Sequence, residues 1–223
     1  MHWQPVALDR LASKQAIASG ALHVWWWPEL LQPPAASRRA RTDAILRTLL
    51  ARYLPCAPAA LRFGRESKGR PYLLHDDAPD FNLSDTRGGC VVAIAGNGRI
   101  GIDIECRDRT LPVDRLAARW FAPDEAERLR AMDPESARRA FLDSWTAKEA
   151  SCKATGTGIY GRLAAWRFAI GDEDAAPHVM SLPPEAGDAA NWRFHRFAPA
   201  ETHTVALACR DNSTMPQGYS VVP

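Results

Sequence analysis

The run VVAIAGNGRIGIDIE (91–105) constrains the fold more than any other stretch of the chain. Two β-prone segments flank a Gly-Asn-Gly turn, and together they resemble a hairpin. The second segment, GIDIE, carries two carboxylates into what otherwise reads as a buried strand. Strand interiors are depleted in Asp and Glu, and an unpartnered buried charge costs several kcal/mol. Asp103 and Glu105 must therefore be compensated by a metal ion, by a basic partner, or by exposure at the end of the strand. Side chains alternate along a strand, so the two carboxylates share one face about 7 Å apart, and Ile102 and Ile104 share the other.

Around this run the chain alternates strand and helix signals. ALHVWWWPEL predicts a strand ending at Pro28, and ASRRARTDAILRTLLARYL (36–54) an amphipathic helix. LRFGRESKGRPYLL carries two short extended pieces around a turn, and FNLSDTRGGCVVAIAG (81–96) a polar loop followed by a strand. After DRTLPVDRLAARWF, a short helix over FAPDEAERLRAM has acidic residues in its first turn, which suits the helix dipole. The longest helix spans 135–156 and closes at Gly156. Residues 164–170, 191–198 and 203–210 read as strands, and 171–191 as turns and loop. The expected class is α+β: two similar halves related by a pseudo-two-fold axis, each an antiparallel sheet packed with a long helix. The halves are 1–100 and 101–223.

A formal charge of +2, from 28 basic and 26 acidic residues, points to no nucleic acid and no membrane surface as partner. No apolar run approaches the ~18–20 residues of a membrane span, and the N-terminus lacks the order of a signal peptide. The 5 cysteines are scattered without metal-like spacing, which reads as reduced thiols in a cytoplasm. The 8 tryptophans suit core packing, with an exposed share able to dock a partner.

In WTAKEASCK (145–153), Trp145, Glu149 and Lys153 share a helix face, and Lys148 is turned about 100° from Glu149. Taken singly, Glu149–Lys153 reads as an exposed intrahelical pair and Asp103–Glu105 as a solvated strand end. Taken together, three carboxylates and two lysines read as a site for Mg²⁺ and phosphate, because Mg²⁺ prefers oxygen ligands.

The pair of motifs GIDIE and FLDSWTAKEASCKATGTGI resembles the signature of the 4′-phosphopantetheinyl transferases. RTDAILRTLLARYL, SKGRPYL and FNLSDTRGGCVVAI resemble three further family segments, all in family order over roughly residues 38–170. Chain length favours the longer, pseudo-dimeric, surfactin-synthetase-activating type that serves polyketide, peptide-synthetase and sometimes fatty-acid carriers.

The resemblance implies transfer of the 4′-phosphopantetheine arm of coenzyme A (CoA) to a serine of an apo acyl or peptidyl carrier protein, with release of 3′,5′-ADP. It implies Asp103, Glu105 and Glu149 as Mg²⁺ ligands, with Lys153 and more loosely Lys148 neutralising the phosphates or protonating the leaving group. Glu149 is also the candidate base. Arg41, Arg47, Arg70 and Ser84 match positions that hold the ribose 3′-phosphate, so 1–100 would carry the nucleotide contacts and 101–223 the metal strand and catalytic helix. One position departs from the pattern: Asp85 stands where the family carries a histidine that contacts the nucleotide end of CoA. An aspartate there repels phosphate, so it must turn away, be offset by Arg87 or another arginine, or bind the adenine amine or a ribose hydroxyl. Weakened or rearranged CoA binding is expected, with the chemistry intact. The carrier is expected to dock near Leu111–Phe121, where Trp120 and Phe121 read equally as core, and the two-half layout suggests a monomer. The alternatives are a degenerate member that binds CoA or carriers without turnover and an unrelated Mg²⁺-dependent phosphate hydrolase.

Overall fold

The computed structural model describes residues 1–223 except 13, 14, 16, 36, 161, 171–175 and 213, and the side chain of Ala12. Position 36 of the expected first helix and 171–175 of the expected loop lie outside the described residues. In chain order the elements are β1 (Trp3–Ala7), β2 (Leu22–Pro28), α1 (Arg38–Leu50), β3 (Phe63–Arg65), β4 (Pro71–Leu73), β5 (Asp80–Thr86), β6 (Gly89–Ala95) and β7 (Arg99–Cys106). There follow α2 (Val113–Trp120), α3 (Pro123–Arg130), α4 (Pro134–Thr155), β8 (Arg167–Phe168), β9 (Val179–Ser181), β10 (Trp192–Phe197), β11 (His203–Arg210) and β12 (Gln217–Val222).

The class is α+β, as expected. A five-stranded sheet runs β1-β12-β2-β6-β5, and a three-stranded sheet runs β10-β11-β7. Strand alternation explains how the layers stack. Trp25 and Trp27 of β2 face α1, where they meet Ile45, Leu49 and Leu50. Val24 and Trp26 face the other way and pack on Ile100, Ile102 and Ile104 of β7 and Val205 and Leu207 of β11. The second sheet's outer face is lined by small residues, Ala206 and Ala208, which meet Ala147, Ala150 and Ala154 of α4. The order of layers is therefore α1, large sheet, small sheet, α4.

Three expectations are corrected. The segment FNLSDT belongs to strand β5, which forms a hairpin with β6 through Gly88 at φ 98. The β6–β7 segment is no hairpin, because β7 leaves the large sheet and pairs antiparallel with β11. The large sheet is mixed: β12 lies parallel to both β1 and β2 and so joins the first half's sheet from the C-terminal end of the chain.

Strand β7 has β11 on one edge, and side chains satisfy its other edge. Asp80 and Asn82 of β5 accept from the amides of Ile100 and Ile102, each at 2.9 Å. The Ile100 carbonyl accepts from Arg70 at 2.9 Å and the Ile102 carbonyl from Lys153 at 3.1 Å. Buried backbone groups need such partners, and here four polar side chains take the place of a neighbouring strand.

Helix α4 starts at Asp133, whose side chain accepts from the amides of Glu135 and Ser136, and stops at Gly156 in the left-handed conformation. Gly101 fixes how closely α4 lies on β7. A Cβ there would sit 2.0 Å from the Ala150 carbonyl oxygen and 2.4 Å from the Ala154 nitrogen, both backbone atoms. Gly101→Ala is therefore expected to destabilise by about 3 kcal/mol, from overpacking against an unyielding partner. In a chain of this size that lowers Tm by roughly 6–12 °C in a thermal melt. An unchanged Tm would contradict the close approach.

Candidate active site

The close approach of α4 to β7 brings Asp103, Lys153 and Ser84 of β5 into contact. The buried Asp103 Oδ1 accepts from Ser84 Oγ at 2.7 Å and from Lys153 Nζ at 2.6 Å, and Lys153 also donates to Ser84 Oγ at 2.9 Å. Asp103 Oδ2 is buried and accepts no hydrogen bond. Such an orphaned oxygen is costly unless something else binds it. Next on the same strand face, Glu105 accepts from Arg109 at 2.7 Å. Burial and the Asp103 charge push the Glu105 carboxyl up, against the pull of Arg109.

Glu149 lies one helical turn before Lys153. Burial, and then the Asp103 charge, push its carboxyl up to about 7; Lys153 opposes this, Glu105 adds to it and Arg109 opposes it. The three acids thus share one electrostatic neighbourhood in which like charges crowd each other. Among the described residues, no three His, Cys, Asp or Glu side chains are placed to hold a metal ion as they stand. Glu105 is turned onto Arg109. The donor set itself, all carboxylate oxygens with one of them orphaned, fits a hard cation such as Mg²⁺.

The remaining expected residues fall in different places. Ser84 belongs to the Asp103–Lys153 cluster and is not grouped with the arginines. Arg70 is nearly buried and spends its guanidinium on Asp80, the Phe81 and Ile100 carbonyls and the Lys153 carbonyl, with Nη1 left without a hydrogen bond. Arg47 pairs with Asp43, donates to the carbonyls of Pro58 and Leu61, and lies over the Phe63 ring. Arg47 lines a cleft of about 610 Å³ together with Arg39, Arg65 and Asn82. That cleft shares Pro71, Asn82 and Leu83 with a cavity of about 260 Å³ lined by Lys68, Arg70 and Lys153, so a groove runs over β5 from α1 to α4. Arg41 Nε is buried and makes no hydrogen bond. Asp85 is engaged by Arg38, while Arg87 pairs with Asp108.

Lys148 does not join the carboxylates. It is 0% exposed, donates to Glu125 at 2.8 Å and to the Leu163 and Trp166 carbonyls, and sits 4.6 Å over the Phe121 ring. Its position one residue from Glu149 turns it to another face of α4, toward α3 and β8, so the expected phosphate role is corrected to a structural one. Phe121 is likewise core, stacked on Phe141. Trp120 is half-buried against Trp145 and the exposed Tyr160.

Sequence reasoning missed Asp80 and Asn82, which hold β7, and Arg109 and Glu125, and it weighed Arg38 only within an arginine cluster at the helix start. A period-two polar pattern, Asp80-x-Asn82-x-Ser84, was the available signal for the first two. Glu125 reads in sequence as ordinary first-turn charge, yet it is buried and accepts from its own N-cap amide, from Lys148 and from the Phe168 amide.

Two predictions follow from these charges. Lys148→Ala strands Glu125 in the interior and should cost about 3–5 kcal/mol, read as a Tm drop of more than about 6 °C; a drop of a degree or two would mean the pair is dispensable. Folded Glu149 keeps its proton up to about 7, whereas an unfolded glutamate releases it near the ordinary value of 4.5. The folded state binds more protons between those values, so this group's contribution to stability falls as pH rises through the window. In chelator at pH 8, Glu149→Gln should melt at least about 2–4 °C above the parent, the effect of about 1 kcal/mol, and the gain should vanish toward pH 4.5. Equal melting at pH 8 would contradict the charge crowding.

Comparison with known proteins supplies the family. A sequence profile described as the 4′-phosphopantetheinyl transferase superfamily matches residues 99–208, from β7 to β11, and so contains Asp103, Glu105, Glu149 and Lys153. The chain is 40% identical over 167 residues to the 4′-phosphopantetheinyl transferase HetI of Nostoc sp., covering 74% of this chain and 67% of that protein. It is 31% identical over 127 residues to the 4′-phosphopantetheinyl transferase Sfp of Bacillus subtilis, covering 56% of this chain and 54% of that one. It is also 36% identical over 146 residues to an L-aminoadipate-semialdehyde dehydrogenase-phosphopantetheinyl transferase of Eremothecium gossypii, covering 58% and 51%. With Asp103, Glu105, Glu149 and Lys153 inside the matched region, this chain belongs to the 4′-phosphopantetheinyl transferase superfamily.

Proposed function

We propose that the protein transfers the 4′-phosphopantetheine arm of CoA to a serine of an apo carrier protein and releases 3′,5′-ADP. The observation that carries this reading is the cluster between β7 and α4: Asp103 with an orphaned buried oxygen, Lys153 bonded to it, and Glu149 raised to about 7. It stands at one end of a groove lined by basic side chains.

In this reaction the serine oxygen bonds to the phosphorus that carries the arm, and the bond from that phosphorus to the bridging oxygen breaks. Negative charge gathers on the departing phosphate of 3′,5′-ADP, so catalysis is mostly alignment and charge stabilisation. Asp103, Glu105 and Glu149 would hold Mg²⁺, which when bound acts as a Lewis acid on the diphosphate. Glu105 must leave Arg109 to do so. Lys153 is placed to neutralise the departing oxygen once the diphosphate competes with Asp103 for its ammonium. Holding the cation and accepting the serine proton are competing uses of the Glu149 carboxylate, and its raised protonation in the cation-free site suits the second. Arg41 and Arg47 are the residues proposed for the ribose 3′-phosphate, a bidentate task that suits arginine. Arg70 shapes the groove floor from behind.

Because the two sheets bury their inner faces against each other within one chain, a monomer suffices in this reading, with a pseudo-two-fold relation between the sheet-and-helix halves. Four of the five free cysteines are buried, and the reading places the enzyme in a reducing cytoplasm.

Incubation with CoA, Mg²⁺ and an apo carrier domain should raise the carrier's mass by one phosphopantetheine arm. Asp103→Ala and Glu149→Ala should each lower the rate at least about 100-fold, as loss of a transition-state charge partner does, with circular dichroism unchanged. No mass gain across several carrier types would remove the proposal and favour a protein that binds without turnover.

A further inference from the structure

Strand β7 ends in a tight turn, closed by the Arg109 amide donating to the Cys106 carbonyl at 3.3 Å. Asp108 fastens that turn: it accepts from the Cys106 thiol at 2.7 Å and pairs with Arg87. With the neighbouring acid so engaged, Arg109 folds back along the strand and donates from Nη1 to Glu105 Oε1 at 2.7 Å. The pairing is therefore set by the turn that follows the acidic strand.

Each acid of β7 thus carries a cation of the chain itself, Lys153 on Asp103 and Arg109 on Glu105. The two cations differ in what their departure costs. Lys153 also donates to Ser84 and to the Ile102 carbonyl, so its withdrawal strands a backbone acceptor. Arg109 is 54% exposed and gives up only an ion pair open to water on its own side. It lines a polar cleft of about 530 Å³ with Glu105 and an adjoining groove of about 940 Å³ with Asp114 and Glu135, which offers its guanidinium a polar place to go. Glu105 is the sheltered member, its side chain 12% exposed, and it needs a cation of some kind. Beside it, Asp103 Oδ2 is buried and accepts no hydrogen bond. A divalent ion that reaches Asp103 meets Glu105 in the grip of the more readily displaced of the two cations.

We propose that Arg109 is an internal stand-in for the divalent cation: it occupies Glu105 in the empty site, the ion displaces it on entry, and that displacement sets how tightly the ion is held. The inference rests on the reading of Asp103, Glu105 and Glu149 as cation ligands, and it adds a residue outside that set which governs their affinity. Arg109 lowers the affinity in two ways, by competing for a carboxylate and by placing a like charge beside the ion. A bare ion is then held loosely, and firm binding waits for the oxygens of a diphosphate.

The test is titration of Mn²⁺ without CoA, following free ion by electron paramagnetic resonance, for the parent, Arg109→Gln, Arg109→Lys, Glu105→Gln and the variant carrying both Glu105→Gln and Arg109→Gln. Arg109→Gln should bind the ion about 10-fold more tightly than the parent, through loss of one competing ion pair and one like charge. Arg109→Lys, which keeps the charge, should stay nearer the parent. In the Glu105→Gln background there is no carboxylate to contest, so Arg109→Gln should bring only a small part of that gain, as members of one unit are not additive. A fixed Mn²⁺ concentration should also raise the Tm of Arg109→Gln by more than that of the parent, because stabilisation by a ligand grows with its affinity. Equal or weaker Mn²⁺ binding by Arg109→Gln, or a gain undiminished in the Glu105→Gln background, would overturn the proposal. A parent that modifies carriers while its Arg109→Gln variant binds Mn²⁺ no more tightly loses this inference alone. A parent that shows the expected Mn²⁺ series but modifies no carrier loses the transferase reading alone.

Discussion

The open edge of β7 is satisfied by side chains where a neighbouring strand would ordinarily be. Asp80, Asn82, Arg70 and Lys153 take up both amides and both carbonyls of Ile100 and Ile102. A further strand on that edge would have closed the sheet and buried Asp103 against backbone. With side chains there, the edge is satisfied and a lysine from α4 reaches Asp103. The same lysine serves both purposes, since one ammonium caps the Ile102 carbonyl and pairs with the carboxylate. The position of the acidic cluster therefore follows from the way the strand edge is closed.

Around that edge the charges are arranged unevenly. Behind the cluster, the half-exposed Arg99–Glu66 pair and the sheltered Arg70–Asp80 pair are closely matched, and the second is buried. Buried pairs of this kind do little for net stability but are costly to break. In front, Asp103, Glu105 and Glu149 outnumber the cations that touch them, and the excess appears as an orphaned oxygen and as raised carboxyl protonation. Excess negative charge at one end of a groove is what a divalent cation and a diphosphate together would relieve. The chain holds this charge in readiness through packing that lies elsewhere: Gly101 under α4, and the Lys148–Glu125 pair that ties α4 to α3.

Much of the fold was legible in residue patterns. The stop of α4 at Gly156, the α1 face and the β-prone runs of β2, β6, β7, β10 and β11 follow from periodicity and punctuation in the chain. Strand β5 was not legible, because Asp80, Asn82, Ser84 and Asp85 give it a loop's composition; its polar face is buried only because β7 needs those acceptors, a non-local fact. The partner of β7 was misread for the same reason, since a Gly-Asn-Gly turn signals a reversal without saying which sheet receives the next strand. The insertion of β12 between β1 and β2 leaves no local trace. In the site, alternation puts Asp103 and Glu105 on one strand face and helix spacing puts Glu149 and Lys153 on one helix face, but neither says that the two faces meet, which the family resemblance supplied. Lys148 could have been set aside by the same geometry, as a residue turned about 100° from Glu149 cannot share its partners. Arg109 had no sequence signal beyond ordinary surface charge, and Arg38 had only its place in an arginine cluster at the helix start.

The idea that the carboxylates of β7 and α4 form one cation site in the presence of CoA is most directly tested by titrating Mn²⁺ into the protein and following free ion by electron paramagnetic resonance. With CoA present, one ion per chain should bind, be displaced by Mg²⁺, and be lost in Asp103→Asn and in Glu149→Gln. If no ion binds with CoA present, or if binding persists unchanged in both variants, the three acids do not act together and the site described here is not a metal centre.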